Sequence, residues 1–286
     1  MSAAAVGLVA IAAVFHASWN LITKRTGGGI AFLWLFGVAG TVAMLPPAIV
    51  AAVRMDRPLD RDDLIAVLGT GFIHVFYFSL LQAGYRSGDL SVVYPVARGL
   101  GPLLTAIAGI SVLGDRPGPL AIAGGLALLG GVVGLSGLSR DRLRLDSSVV
   151  FGLLTGVSIA TYTLWDRRAV ATLEIPPVFY FWGMTAAYTA FITPAVLRAP
   201  ELPWRRSFVR KMWRPAVAVA VMSAASYSLV LTAMTMAPLS YVATLREASI
   251  LIATVLGVKF LGERLTRRKT VAALAVVAGV IGLTLG

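Results

Sequence analysis

Tyr94-Pro95-Val96-Ala97-Arg98-Gly99 and Val242-Ala243-Thr244-Leu245-Arg246-Glu247 each set an arginine inside a long apolar run. On insertion scales one arginine at mid-bilayer costs roughly 2.5–3.5 kcal/mol, and this chain carries two. They occupy matching places. A displacement of 148 positions takes Arg98 onto Arg246, Gly109 onto Gly257, and Leu113-Gly114-Asp115-Arg116 onto Leu261-Gly262-Glu263-Arg264. A displacement of 146 pairs Trp19-Asn20 with Trp165-Asp166. Apolar helix, internal cation and exit loop recur in one register, so the chain reads as two repeats, residues 1–140 and 147–286.

Composition fixes the environment. Of 286 residues 58% are apolar and only 13% charged, against roughly 25% charged in soluble domains, and the mean hydropathy is +0.83. This is the signature of an all-α integral membrane protein. With no cysteine, disulfides, thiolate metal sites and cysteine nucleophiles are excluded. The net charge of +12 sits between apolar runs, where topology and anionic lipid account for it, so no nucleic-acid partner is expected. The first run, residues 2–23, lacks a preceding basic region and a cleavage pattern and reads as a retained span.

A span needs about 20 mostly apolar residues. Ten runs qualify: residues 2–23, 30–53, 64–85, 90–113, 119–138, 148–165, 176–197, 215–236, 239–261 and 270–285. They are continuous, whereas barrel strands would alternate. Five helices per half is an odd number, so the second half enters the membrane from the opposite side and the repeats are inverted. Loop charge agrees: loops after odd-numbered helices hold 17 of the basic residues, including Arg140, Arg210 and Lys269, and loops after even-numbered helices hold only Arg54, Arg57, Arg61, Arg116, Arg167 and Arg168. The positive-inside rule makes the first set cytoplasmic and both termini external, or periplasmic for a bacterial inner membrane. Arg167 and Arg168 are the exception.

Two segments carry further expectations. Residues 198–214 alternate bases with Trp204, Phe208, Met212 and Trp213, the pattern of a short interfacial helix. The glycines of the fifth helix (Gly124, Gly125, Gly130, Gly131, Gly134, Gly137) and the small residues Ala275, Ala278, Gly279 and Gly282 of the tenth allow close backbone approach, either within the monomer or in a homodimer.

Candidate function gathers around the two arginines. On the fourth helix Tyr94, Arg98 and Thr105 share a stripe, and Pro95 and Pro102 free backbone carbonyls and bend it. Arg246 and Glu247 are adjacent, about 100° apart on a helix, and are not expected to face one another. Glu247 is expected to pair with Arg98, and Arg246 with a polar group of helix one or six. Helix one adds His16, Trp19 and Asn20; helix three adds His74, Tyr77 and Gln82. Each histidine reads either as a satisfied interior group or as a carrier of protons in coupled transport.

The substrate-binding set is therefore Arg98, Arg246, Tyr94, His16, Trp19, Asn20, His74, Tyr77 and Trp165, with Glu247, Pro95, His16 and His74 for gating or coupling. Guanidinium groups match planar anions, so a carboxylate or phosphate is attracted, and the aromatic rings flank an apolar portion. No metal site and no cofactor is expected, since two histidines stand without cysteine or a nearby internal carboxylate cluster. Asp60, Asp62 and Asp63 cluster beside Arg57 and Arg61 in an external loop. Motifs for metalloproteolysis, phosphate binding or paired-aspartate chemistry are absent, which disfavours a membrane enzyme, and two buried arginines disfavour an inert scaffold. The partners left are a small-molecule substrate and the lipid bilayer.

Phe15-His16-Ala17-Ser18-Trp19-Asn20, the run from Gly88 through Arg98 to Gly99, and the exit segments Leu113-Gly114-Asp115-Arg116 and Leu261-Gly262-Glu263-Arg264 resemble the EamA family of the drug/metabolite transporter superfamily. The resemblance covers nearly the whole chain. It implies ten transmembrane helices as two inverted five-helix repeats, external termini, and a central cavity for small metabolites, often amino acids, moved outward. Translocation of a lipid or lipid precursor is the second reading. Small multidrug antiporters of that superfamily use a carboxylate in their first helix. That helix has none here, so their proton-exchange mechanism does not transfer.

Overall fold

The computed structural model describes residues 2–26, 29–87, 90–135, 147–198, 206–261 and 266–286. Among these are eleven α-helices, one 3-10 turn and no strand. The helices are α1 (Ala3–Thr26), α2 (Ile30–Val53), α3 (Arg61–Ser87), α4 (Leu90–Ser111), α5 (Pro119–Leu135), α6 (Ser147–Ala171), α7 (Pro177–Leu197), α8 (Arg206–Met236), α9 (Leu239–Leu245), α10 (Ser249–Leu261) and α11 (Arg267–Leu285). In hydrocarbon every backbone polar group must be paired within the segment, which a continuous helix achieves. By length and composition α1, α2, α3, α6, α8 and α11 can each cross a membrane, while α4 and α5 contain shorter apolar stretches. Their outward faces carry large apolar side chains, such as Val42, Phe72 and Leu274, each more than 60% exposed, as expected of a lipid-facing wall.

The helices of one half of the chain pack chiefly on those of the other. α1 lies on α8 and α3 on α6; α2 faces both α7 and α8, and α3 also meets α7; α4 packs on α6, as α1 packs on α10. Two pairs join counterparts directly, α2 with α7 and α5 with α11. The α5–α11 seam is built of small residues. A methyl group on Gly124 would stand 2.7 Å from the Gly282 carbonyl carbon, and one on Gly131 would stand 2.7 Å from the Ala272 carbonyl oxygen. The glycine face is thus used inside the monomer.

Several boundaries differ from the sequence reading. α6 runs six residues past Trp165, because no breaker intervenes before Glu174, which adopts a left-handed φ of 55°. Asp166, Arg167 and Arg168 are therefore helical. α8 starts at Arg206 and runs through Pro215, so residues 206–214 are its first turns and form no separate interfacial helix; residues 199–205, with Trp204, lie outside the described residues. α3 starts at Arg61, placing Asp62 and Asp63 in its first turn, where carboxylates complement the helix dipole. Asp63 is 2% exposed. Arg57 grips it with two hydrogen bonds of 2.7 Å and donates a third, of 2.6 Å, to the Leu173 carbonyl. That hydrogen bonding to Asp63 raises the Arg57 pKa above its ordinary value. The ninth span is not one helix, since α9 and α10 are separated by a 3-10 turn at Arg246–Ala248. The turn tightens where two charged side chains must leave an apolar axis together.

Candidate functional site

That turn projects Arg246 and Glu247 into the bundle, and α4 brings Arg98 to meet them. Arg98 Nη1 lies 3.3 Å from Glu247 Oε1, the pairing read from the sequence, and Nη2 lies 3.0 Å from His16 Nε2. A guanidinium only donates, so Nε2 is the acceptor and the imidazole proton sits on Nδ1. Arg246 Nε stands 3.8 Å from the same Glu247 Oε1. This corrects the expectation that neighbours on a helix would diverge: the 3-10 geometry and the shared oxygen bring them together. Two guanidiniums thus converge on one carboxylate oxygen, in side chains only 13%, 7% and 1% exposed for Arg98, Arg246 and Glu247. Burying ions is costly unless they are fully paired. Glu247 Oε2 and Arg246 Nε nevertheless have no hydrogen-bond partner.

A second polar cluster lies in α6. Asp166 is fully buried. Its Oδ1 accepts from the Thr70 hydroxyl at 2.7 Å and from the Tyr180 hydroxyl at 2.6 Å, and its Oδ2 accepts from the Tyr227 hydroxyl. One carboxylate therefore joins α6 to α3, α7 and α8. His74 Nδ1 lies 2.9 Å from the Thr70 carbonyl and 3.2 Å from its hydroxyl oxygen. The Thr70 proton is given to Asp166, so the imidazole N–H is the donor to both. The His74 ring lies 4.5 Å from that of Tyr162 and 6.2 Å from that of Tyr227, and Tyr77 lies 5.8 Å from Tyr162. Arg246 connects the two clusters, since Tyr162, Tyr227, Glu247 and Arg98 all contribute to its electrostatic surroundings.

The other sequence candidates are placed less centrally. Trp19 stands edge-on to His16 at 5.0 Å and packs against the Phe32 cluster. Asn20 spends its amide on the His16 carbonyl, 2.7 Å away in its own helix. The Trp165 indole donates to the Ala66 carbonyl at 2.8 Å and lies over Gly69, which makes it a joint between α6 and α3. The side chains of Tyr94, Pro95 and Gln82 lie outside the described residues. Asp166, Tyr162, Tyr180 and Tyr227 were missed, and Asp166 places a single internal carboxylate beside Thr70, the hydrogen-bond partner of His74. The signal was available, because the displacement of 146 that pairs the tryptophans also takes Asn20 onto Asp166 and His16 onto Tyr162. No group of three metal-ligating side chains occurs among the described residues. A groove of about 520 Å³ lies elsewhere, on the α5–α11 seam beside Arg267 and Arg268.

A multi-pass helical bundle with buried ion pairs at its centre defines a class of membrane protein, and comparison supplies the family. The EamA-like transporter family model matches twice, at residues 3–137 and 146–285. The chain belongs to this family and is a membrane transporter, not an enzyme. It is 30% identical to the threonine/homoserine exporter RhtA of Salmonella typhimurium strain SL1344 over 220 residues, covering 72% of this chain and 70% of that protein. The protein of the same name from Escherichia coli strain K12 is 31% identical over the same shares. A solved structure described as "Crystal structure of protein" shares the fold, with a TM-score of 0.79 at 20% identity over 100% of this chain and 98% of that one.

Proposed function

We propose that this protein exports a small carboxylate-bearing metabolite, an amino acid or a related amphiphile, by alternating access at a site between two inverted five-helix repeats. The repeats are residues 1–140 and 147–286, in ten spans with both termini external in a cell inner membrane. Supporting two related repeats, several packings persist when the halves are exchanged: α1 on α8 becomes α6 on α3, and α4 on α6 becomes the ninth span on α1. Supporting an amino acid, the curated relatives are named as threonine/homoserine exporters.

The observation that carries the reading is Arg246. A buried guanidinium whose Nε has no acceptor is prepared for a carboxylate, which it binds bidentately. Arg98 is the second cation of the site, and His16, Tyr77 and His74 border it. His16 and His74 are the groups through which proton coupling would act, with Glu247 exchanging partners as the cavity changes sides. Purified protein in sealed vesicles should move labelled threonine or homoserine down an imposed gradient, and Arg98→Ala and Arg246→Ala should insert but lose that flux. Normal transport by both variants would place the site elsewhere.

A further inference from the structure

We infer that the site selects a zwitterion over a simple anion, with Glu247 Oε2 receiving the substrate ammonium while Arg246 receives its carboxylate. The inference rests on the transport reading above and names the substrate's charge state and the residue that reads it. Both unpartnered atoms leave the same 3-10 turn, and Arg246 Nε is only 3.8 Å from the other oxygen of Glu247. Two charged groups of opposite sign held this close match a ligand whose own opposite charges are separated by a single carbon, as in an α-amino acid. Longer spacers between amine and carboxylate would satisfy one group and strand the other. A buried polar atom left without a hydrogen bond is costly, so each half of the ligand answers a specific deficit.

Net charge points the same way. Arg98 and Arg246 contribute two positive charges. Glu247 offsets one, and Asp166, which accepts from the hydroxyl of Tyr227 within electrostatic reach of Arg246, offsets the other. A neutral interior takes up a neutral zwitterion without acquiring a charge, whereas a monoanion or an amine cation would each leave it charged in a low-dielectric environment. Glu247 Oε1 is already held by Arg98, which leaves Oε2 as the oxygen for the ammonium.

The test measures ligand-induced thermal stabilisation of the full-length protein in detergent. Threonine and leucine are each compared with the α-hydroxy acid and the decarboxylated amine that share their side chains. The zwitterions should reach half-maximal stabilisation at concentrations at least tenfold lower than either partial analogue. Glu247→Gln should erase the gap between amino acid and hydroxy acid, and Glu247→Asp should keep part of it. Equal stabilisation by amino acid and hydroxy acid in the unaltered protein, or no stabilisation by either amino acid, overturns the inference without relying on any variant folding. Vesicle flux of the same compounds reads the transport proposal separately. A zwitterion preference with no flux would sink transport and leave the subsite standing.

Discussion

Arg98 and Glu247, 149 positions apart in the chain, meet at 3.3 Å in the interior with His16 on the far side of the same guanidinium. The contact joins α4 of the first half to the broken ninth span of the second, and the carboxylate it uses is shared with Arg246. Arg98 is thus the nearer of the two cations paired with Glu247, whose side chain is 1% exposed.

Removing one member of a buried ion pair costs roughly 3–5 kcal/mol, because the other charge is left unpaired. Arg98→Glu and Glu247→Arg should each lose transport and lower the thermal midpoint. The double variant should regain stability and part of the flux. If it recovers nothing lost by either single change, the two side chains do not act as a pair.

Asp166 predicts a different pattern. Hydrogen bonds to a charged group contribute roughly 1.5–3 kcal/mol each, so Tyr180→Phe and Tyr227→Phe should each lower stability by about that amount, and Asp166→Asn by more. Double-variant combinations at this carboxylate should be strongly non-additive, since all three hydroxyls serve one group. Additive effects measured by unfolding in detergent would mean that the hydroxyls act independently.

At the α5–α11 seam the prediction concerns packing. Gly124→Ala forces a methyl group to within 2.7 Å of the Gly282 carbonyl carbon and should cost roughly 1–3 kcal/mol through overpacking. Gly130→Ala, on the same helix, meets nothing within 4 Å and should be tolerated. Thermal midpoints of the two variants, measured side by side, check the contrast.

Because the chain contains no cysteine, topology can be read with single introduced thiols. Cysteine at Ser2 and at Leu285 should react with an impermeant maleimide added outside intact spheroplasts, and cysteine at Ser207 should react only after lysis. Labelling of Ser2 and Leu285 from opposite sides would remove the inverted five-plus-five arrangement.

The fold was legible because its determinants are local and repeated: apolar runs of span length, and arginines recurring in one register. The Arg98–Glu247 pairing was legible for a related reason, since a carboxylate turned away from its neighbour has to find a cation on another helix. Asp166 was not, because a carboxylate followed by Arg167 and Arg168 resembles a charged loop. Only the continuation of α6 to Ala171, with hydroxyls arriving from α3, α7 and α8, carries it inside. The 3-10 turn escaped as well, since nothing in Thr244-Leu245-Arg246-Glu247-Ala248 breaks a helix by composition. The contact made by Trp165 was not legible either, since it depends on Gly69 of another helix, whose missing side chain makes room for the indole.

The hydrogen bonds of Arg57 to Asp63 and Leu173 have a mechanical consequence. One side chain holds Asp63 at the head of α3 and the backbone of Leu173 between α6 and α7, so it staples the two halves of the chain at one end of the bundle. Any rocking of one half against the other that left this staple closed would turn about it as a fulcrum, with the largest excursions at the opposite mouth.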